Sequence, residues 1–436
     1  MNRILIKNAK ILDPATQKDE QGDILIEDGV LLQVGGEIHA EDAEVLDAAG
    51  LTAAPGLVDM HVHLRDPGFT EKEDIFSGCR AAAAGGVTSL LCMPNTNPAV
   101  DSADVVTTIR KQAEKADARV YVAAAITKGL HSEELTDLQA LREAGAIALS
   151  DDGRPVVNSR LMAQAMRLAP ALGLKVVSHC EDLFLSAGGK LNEGAVSAQL
   201  GVAGVPAAAE DCGTAREIAL AAAYGAPVHI CHVSTKTSVA LIRDAKRRGV
   251  SVTAETAPHY FALTEQELVR RDADYRMSPP LRTEEDRLAV IAGIQDGTID
   301  AIATDHAPHT PQEKADFLAA PNGSIGMETS LAAGITYLVQ PGLLTMQGLI
   351  DRMSTVPAQL LRLNAGSLQA GAPADLVLFD PQERWTVDIN RLHGKSRNAV
   401  FKGRELTGKV KITVCRGKIV YEEESPKKNW RNRNGT

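Results

Sequence analysis

Short apolar runs, each closed by polar residues and followed by an amphipathic stretch, recur through the middle of this 436-residue chain. Eight of them fall at residues 56–60, 89–93, 120–126, 146–150, 175–178, 228–231, 251–254 and 301–304. A strand-length apolar run followed by helical spacing, repeated eight times, predicts a (β/α)8 TIM barrel whose reactive end lies at the C-terminal ends of the strands. A doubly wound open sheet is the competing arrangement, but no Gly-x-Gly-x-x-Gly follows a first strand. Outside this region the pattern is purely β. Residues 3–7, 10–13, 23–26 and 30–34 read as short strands, with Glu27-Asp28-Gly29 as a hairpin signal. Residues 375–379, 410–415 and 418–421 do the same near the other end, around an Arg416-Gly417 turn. Neither set has enough strands to bury a core alone. Residues 1–55 and 365–436 are therefore expected to form one composite β-sandwich domain beside a barrel at 56–364. The polar, basic residues 425–436 read as a frayed terminus.

Composition narrows the chemistry. The formal charge is −10, which excludes a nucleic-acid or anionic-membrane surface as the working face. An anionic small-molecule substrate must then be held by a few placed cations. The six cysteines (Cys79, Cys92, Cys180, Cys212, Cys231, Cys415) form no Cys-x-x-Cys pair, which predicts reduced thiols and a cytoplasmic protein. The N-terminus has no signal-peptide profile, and no apolar run reaches membrane-spanning length.

The residues that close the strands carry the chemistry. His61 and His63 are two apart at the end of the first strand and so share a face, where one ion can reach both. Arg65 falls on that face again, a fixed cation able to grip a carboxylate with two prongs. Pro94-Asn95-Thr96 closes the second strand and Asp151-Asp152-Gly153 the fourth. His179 with Glu181, His232, His259, and Asp305-His306 with His309 close the fifth to eighth. Structural histidines do not usually gather at one pole of a barrel. His61, His63, His179 and His232 with Asp152 and Asp305 supply donors for two metal ions sharing a hydroxide, with Asp305 placed to take and return a proton. Asp152 is preferred to Asp151, which reads as a cap on the following turn. His229, mid-strand, reads as packed or outward-facing, and His39, His131 and His393 as surface residues. Glu181, His259 and His306 read as support for the ligands.

The motifs Asp-Met-His-Val-His-Leu-Arg-Asp-Pro-Gly (59–68), Cys-Met-Pro-Asn-Thr-Asn-Pro (92–98), Ser-Asp-Asp-Gly (150–153), Ser-His-Cys-Glu (178–181), His-Ile-Cys-His-Val-Ser (229–234), Glu-Thr-Ala-Pro-His-Tyr (255–260), Pro-Pro-Leu-Arg (279–282) and Ala-Thr-Asp-His-Ala-Pro-His (303–309) together resemble the bacterial dihydroorotases. These are zinc amidohydrolases of pyrimidine biosynthesis. The resemblance extends over nearly the whole chain, Gly371-Ala-Pro-Ala-Asp-Leu-Val included. It implies two zinc ions per subunit on His61, His63, His179, His232 and Asp305, with Asp152 as the aspartate bridge where many relatives carry a carbamylated lysine. It implies reversible cyclisation of N-carbamoyl-L-aspartate to L-dihydroorotate, with a bridging hydroxide as nucleophile and Asp305 as general acid and base. His63, Arg65, Asn95 and His309 then contact substrate, and Asn322-Gly323 borders the ring. The resemblance also suggests a homodimer. Ser278 stands where the family pattern has Asn, keeping a donor and acceptor but shortening the reach. Residues 187–194 and 320–326 are candidates for a closing loop. Allantoinases and hydantoinases share the His-x-His and the late Asp but typically carry the lysine bridge. A silent partner of aspartate transcarbamoylase would lack ligands that this chain keeps.

Overall fold

A ring of eight parallel strands holds the central region together: Leu57–Val62, Val87–Cys92, Arg119–Ala124, Ala148–Leu149, Lys175–Ser178, Val228–Ile230, Val252–Thr256 and Ala301–Ile302. The computed structural model describes residues 3–423; residues 425–436, read above as a frayed terminus, lie outside the described residues. Each strand hydrogen-bonds to the next. The ring closes where His306 bridges Val62 and the His63 N–H donates to the His306 carbonyl at 2.8 Å. Asp59 fastens the same seam, accepting from the Thr304 N–H at 3.1 Å and its hydroxyl at 2.5 Å.

The period of two is visible in the packing. Leu91, Ala123 and Val177 join Val58, Met60, Met93 and Ala303 in the barrel interior. Their neighbours Leu90, Val122 and Val176 face outward into the larger cluster shared with the helices. Alternate positions on a strand take opposite faces, and fully burying one such aliphatic side chain contributes about 2 kcal/mol.

The β segments from the two ends of the chain form one eight-stranded sheet. Its strands are Arg3–Asp13, Lys18–Glu27, Val30–Val34, Glu44–Asp47, Thr52–Pro55, Leu376–Thr386, Glu405–Cys415 and Lys418–Glu422. The runs at 3–7 and 10–13 belong to a single strand, broken by a register shift between Ile6 and Ala9. Asn8 sits there at φ +61°, a left-handed conformation that asparagine tolerates better than most residues. Leu376–Phe379 pairs antiparallel with Thr52–Pro55, which ties the late segment to the early one. Ile4, Ile6, Ile24, Ile26, Leu376 and Leu378 make a core on one face. Val377 and Phe379 turn the other way, into the cluster shared with the barrel.

Between the fifth and sixth barrel strands the simple repeat is interrupted. A parallel pair, Leu191–Asn192 with Gly204–Val205, precedes the 18-residue helix Ala207–Tyr224. That helix presses on the loop after the fifth strand: a Cβ on Gly213 would lie 2.6 Å from the Glu181 nitrogen. Only glycine permits so close an approach.

Candidate active site

The strand ends deliver their polar residues to one cavity of about 360 Å³ at the C-terminal mouth of the barrel. His63, Arg65, Asn95, Asp152, His179, His232, Ser278, Asp305, His309, Asn322 and Gly323 all line it. His61 lies just beneath, completely buried. Local backbone geometry directs these groups. Arg65, His232 and Asp305 have φ of +62°, +37° and +48°, a region that costs a non-glycine residue about 1–3 kcal/mol and collects at functional sites. The turn after Arg65 is clamped against the Asn95 loop: the Asn97 N–H donates to the Pro67 carbonyl at 3.0 Å. A Cβ at Gly68 would meet the Asn97 carbonyl oxygen at 2.0 Å.

Asp152 and Asp305 sit among the imidazoles. His61 Nε2 lies 3.2 Å from Asp152 Oδ1 and 3.6 Å from Asp305 Oδ1. His63 Nε2 lies 3.2 Å from Asp305 Oδ1 and 3.4 Å from Asp152 Oδ2. His179 Nδ1 and His232 Nε2 are 2.9 Å apart, and both stand 3.6 Å from Asp152 Oδ1. Two sets of donor atoms within 4.8 Å of one another could each hold a metal ion: His61, His63 and Asp305, and His61, Asp152 and His232. His61 Nε2 and Asp152 Oδ1 are buried without a hydrogen-bond partner. Buried polar atoms are ordinarily satisfied, and imidazole nitrogen with carboxylate oxygen is a donor set suited to zinc. The residues fit a bound metal.

Further groups hold the second ring nitrogens of these histidines. His61 Nδ1 lies 3.0 Å from Glu255 Oε1, whose other oxygen is 3.4 Å from His229 Nε2. His63 Nδ1 donates to Asn95 Oδ1 at 2.8 Å, which turns Nε2 toward the aspartates. His179 Nε2 lies 2.9 Å from Glu181 Oε2. Fixing the second ring nitrogen sets the tautomer and direction of the first. A third set with metal-binding geometry, His61, Cys231 and Glu255, lies on this side of His61; its carboxylate is already engaged by His61 and His229.

Charge follows from burial and these contacts. Burial opposes ionisation of Asp152, but the charge of His61 and the close approach of the His61, His179 and His232 rings outweigh it and hold the carboxyl well below the usual range. Asp305 is held low in the same way, against burial, by its bond to His63 and the charges of His61, His63 and His232. Burial resists charging of His179, yet Asp152 and Glu181 lift it to about 10. His259 is brought down to about 4, chiefly by burial.

At the other wall Arg65 is 8% exposed and has no carboxylate within 4 Å among the described residues. Its Nε donates to the Pro308 carbonyl at 3.2 Å, and Nη2 lies 3.3 Å from His309 Nε2. Burial lowers its guanidinium only to about 10, so the charge persists at neutral pH. His309 Nε2 lies 2.9 Å from the Asn322 carbonyl oxygen.

The remaining candidates separate clearly. Asp151 does not line the cavity and accepts from the Ile126 and Thr127 N–H groups at 2.7 and 3.1 Å, so its side chain secures the loop after the third strand and not, as expected, the turn that follows it. His306 lies outside the lining, its Nδ1 accepting from the Gly326 N–H at 3.2 Å. His39, His131 and His393 are exposed. Glu255 was not singled out from sequence, although it opens the 255–260 motif and is an acid inside a strand. Asn398, which accepts from the His309 N–H and donates to the Gly323 carbonyl, gave no sequence signal.

A family model described as dihydro-orotase-like matches residues 50–238. The dihydroorotase of Geotalea daltonii is 48% identical over 425 residues, covering 97% of this chain and all of the relative. That of Acetivibrio thermocellus is 46% identical over 423 residues, covering 97% and 99%. Among solved structures, the L-hydantoinase of Arthrobacter aurescens superposes with a TM-score of 0.87 at 26% identity, covering 98% of this chain and 97% of its own. The dihydropyrimidinase of Brevibacillus agri gives 0.84 at 26% identity, covering 96% and 95%.

Proposed function

Because this chain belongs to the dihydroorotase family, we propose that the barrel mouth interconverts L-dihydroorotate and N-carbamoyl-L-aspartate in pyrimidine biosynthesis. The observation that carries this reading is the buried Arg65 guanidinium, with no carboxylate of the described residues within 4 Å, lining the same cavity as the His/Asp cluster. A cyclic amide bearing a carboxylate fits that pairing, whereas hydantoin has no carboxylate to offer.

His61, His63, Asp152, His179, His232 and Asp305 would hold the metal, for which we propose two zinc ions per subunit. Bound zinc lowers the pKa of water and polarises a carbonyl. The protein's own groups do the rest. Arg65 grips the substrate carboxylate, with Asn95 and His309 beside it, which fixes the ring against the reacting groups. Asn322-Gly323 and Ser278 border the ring. Asp305, held ionised, takes the proton of the attacking water and passes it to the ring nitrogen as the amide C–N bond breaks. In the synthetic direction the same carboxylate takes that proton from the carbamoyl nitrogen as the C–N bond forms and delivers it to the oxygen that leaves the carboxyl carbon as water. Residues 1–55 with 365–436 are read as one composite domain and 56–364 as the catalytic barrel. A homodimer in the cytoplasm completes the proposal; the cysteines are free, and all but Cys212 are buried. Among the described residues no helix is long and apolar enough to cross a membrane.

The test is turnover of L-dihydroorotate by zinc-supplied protein, with hydantoin and allantoin in parallel. Dihydroorotate alone is expected to react, and Asp305→Ala is expected to lose at least about 10³-fold in kcat, roughly 4 kcal/mol. Turnover of hydantoin in preference to dihydroorotate would overturn the assignment. Ordinary activity in Asp305→Ala would overturn the proton-transfer role.

A further inference from the structure

Lys314 is a buried lysine outside the catalytic cluster, 9% exposed. Lysine is seldom buried without a paired acid, and no carboxylate of the described residues stands within 4 Å of its ammonium. The nearby acids are taken: Glu313 pairs with Lys72 at 2.7 Å, and Asp272 and Asp274 pair with Lys402. Lys314 Nζ instead donates to three backbone carbonyls, Pro321 at 2.8 Å, Ala273 at 3.1 Å and Arg276 at 3.2 Å. All three N–H bonds are used.

Those carbonyls belong to the two segments that border the proposed ring site. Pro321 precedes Asn322-Gly323, and Arg276 precedes Met277-Ser278; all four following residues line the cavity. The Gly323 N–H also donates to the Arg276 carbonyl at 2.9 Å, and the Arg276 N–H to the Ala273 carbonyl at 3.0 Å. Two of the three carbonyls therefore keep a backbone donor without Lys314. The ammonium is not needed merely to satisfy them; what it adds is a link across the segments. Arg276 reinforces the link, its guanidinium donating to the Phe317 carbonyl at 2.6 Å and to Asn322 Oδ1 at 3.2 Å. From Asn322 the chain of contacts continues to His309 Nε2 and Arg65.

We propose that Lys314 is a positioning residue for substrate recognition, setting the separation of the Met277-Ser278 and Asn322-Gly323 walls and thereby the seat of His309 beside Arg65. The inference rests on the functional reading above. Of the charged groups around the ammonium, Arg276 repels it, while Asp274, Asp272 and Glu313 attract it. Burial brings it down to about 7, so holding it there is costly, as expected of a group retained for placement and not for stability.

The experiment compares Lys314→Met and Lys314→Ala in the zinc-loaded protein. Lys314→Met keeps the bulk of the stem and removes the donors. It is expected to raise KM for L-dihydroorotate about tenfold, the scale of one buried charged hydrogen bond, with kcat within about threefold. In Lys314→Ala, added butylammonium is expected to bring KM back toward that of the unaltered protein. Tetramethylammonium, which has no N–H, is expected to do nothing. An unchanged KM in Lys314→Met overturns the proposal. So does a joint fall of kcat and melting midpoint in both variants that butylammonium fails to reverse, since that marks a purely structural lysine. If the unaltered protein opens another cyclic amide and not dihydroorotate, the functional reading fails, and the Lys314 comparison proceeds with that ring.

Discussion

Glu255 governs His61 from the side away from the cavity. It lies within reach of His61 Nδ1 and of His229, and those two contacts outweigh the opposing effect of burial to hold its carboxyl at about 2. It is thus an anion behind the imidazole of a proposed metal ligand, which fixes the tautomer and strengthens the free nitrogen as a donor. Glu255→Gln keeps the shape and removes the charge. It is expected to weaken metal retention about 10- to 100-fold, read as metal content after equilibrium dialysis against a graded chelator. Retention equal to that of the unaltered protein would show that the charge is irrelevant to the site. Glu181 acts on His179 from a more open position.

Among the elements, the strand Lys18–Glu27 shows how the terminal sheet is held. Asp23 within it accepts from the Asn8 and Ile38 N–H groups, each at 2.9 Å, and from Lys7 Nζ at 2.8 Å. Burial works against its charge, but Lys7 and the two N–H donors prevail and place its pKa below the ordinary 3.8. The unfolded chain therefore binds the proton more readily than the folded one. The stabilisation is complete above about pH 4 and is lost as pH falls through the folded value. Asp23→Asn is expected to cost about 1–3 kcal/mol at pH 7, with the gap to the unaltered protein closing in acid. Denaturant titrations at pH 7 and pH 3 measure it, and an equal gap at both would rule out the ionic contribution. The bulge at Asn8 matters here, because it turns that N–H toward Asp23.

For the whole molecule, the proposed metal donors come from five different barrel strands or the turns after them, so an ion bound there would tie together parts far apart in sequence. Anything that binds only the folded state stabilises it, by about 2.7 kcal/mol at a ligand concentration one hundred times Kd. Chelation followed by zinc addition is expected to lower and then restore the melting midpoint, read by scanning calorimetry. A midpoint indifferent to zinc would mean that the cluster does not bind the ion in the folded protein. The seam between first and eighth strands rests on Asp59, Thr304 and the His63–His306 backbone bond, so loosening on metal loss is expected there first.

Much of this was legible in the chain itself. A strand buried on both faces must read as a short apolar run, and its last residues must turn polar where it meets the mouth, so eight strands and their closing histidines and aspartates stood out by position. Parity on the strand Leu57–Val62 pointed to His61 and, just past its end, His63, whereas Arg65 lies beyond that strand at φ +62° and owes its place in the same cavity to the turn and not to parity. The family motifs favoured Asp152 over Asp151, and in the structure the Asp151 carboxylate is occupied by the Ile126 and Thr127 N–H groups. Other assignments belonged to the tertiary structure alone. Glu255 meets His61 across 194 residues and Asp59 meets Thr304 across 245, and Lys314 reaches carbonyls whose identity no side-chain pattern encodes. Local sequence constrains which face a residue takes and where an element ends. Which distant groups then share a buried space is decided only when the ring closes, because closure sets the distances on which charge, hydrogen bonding and desolvation act.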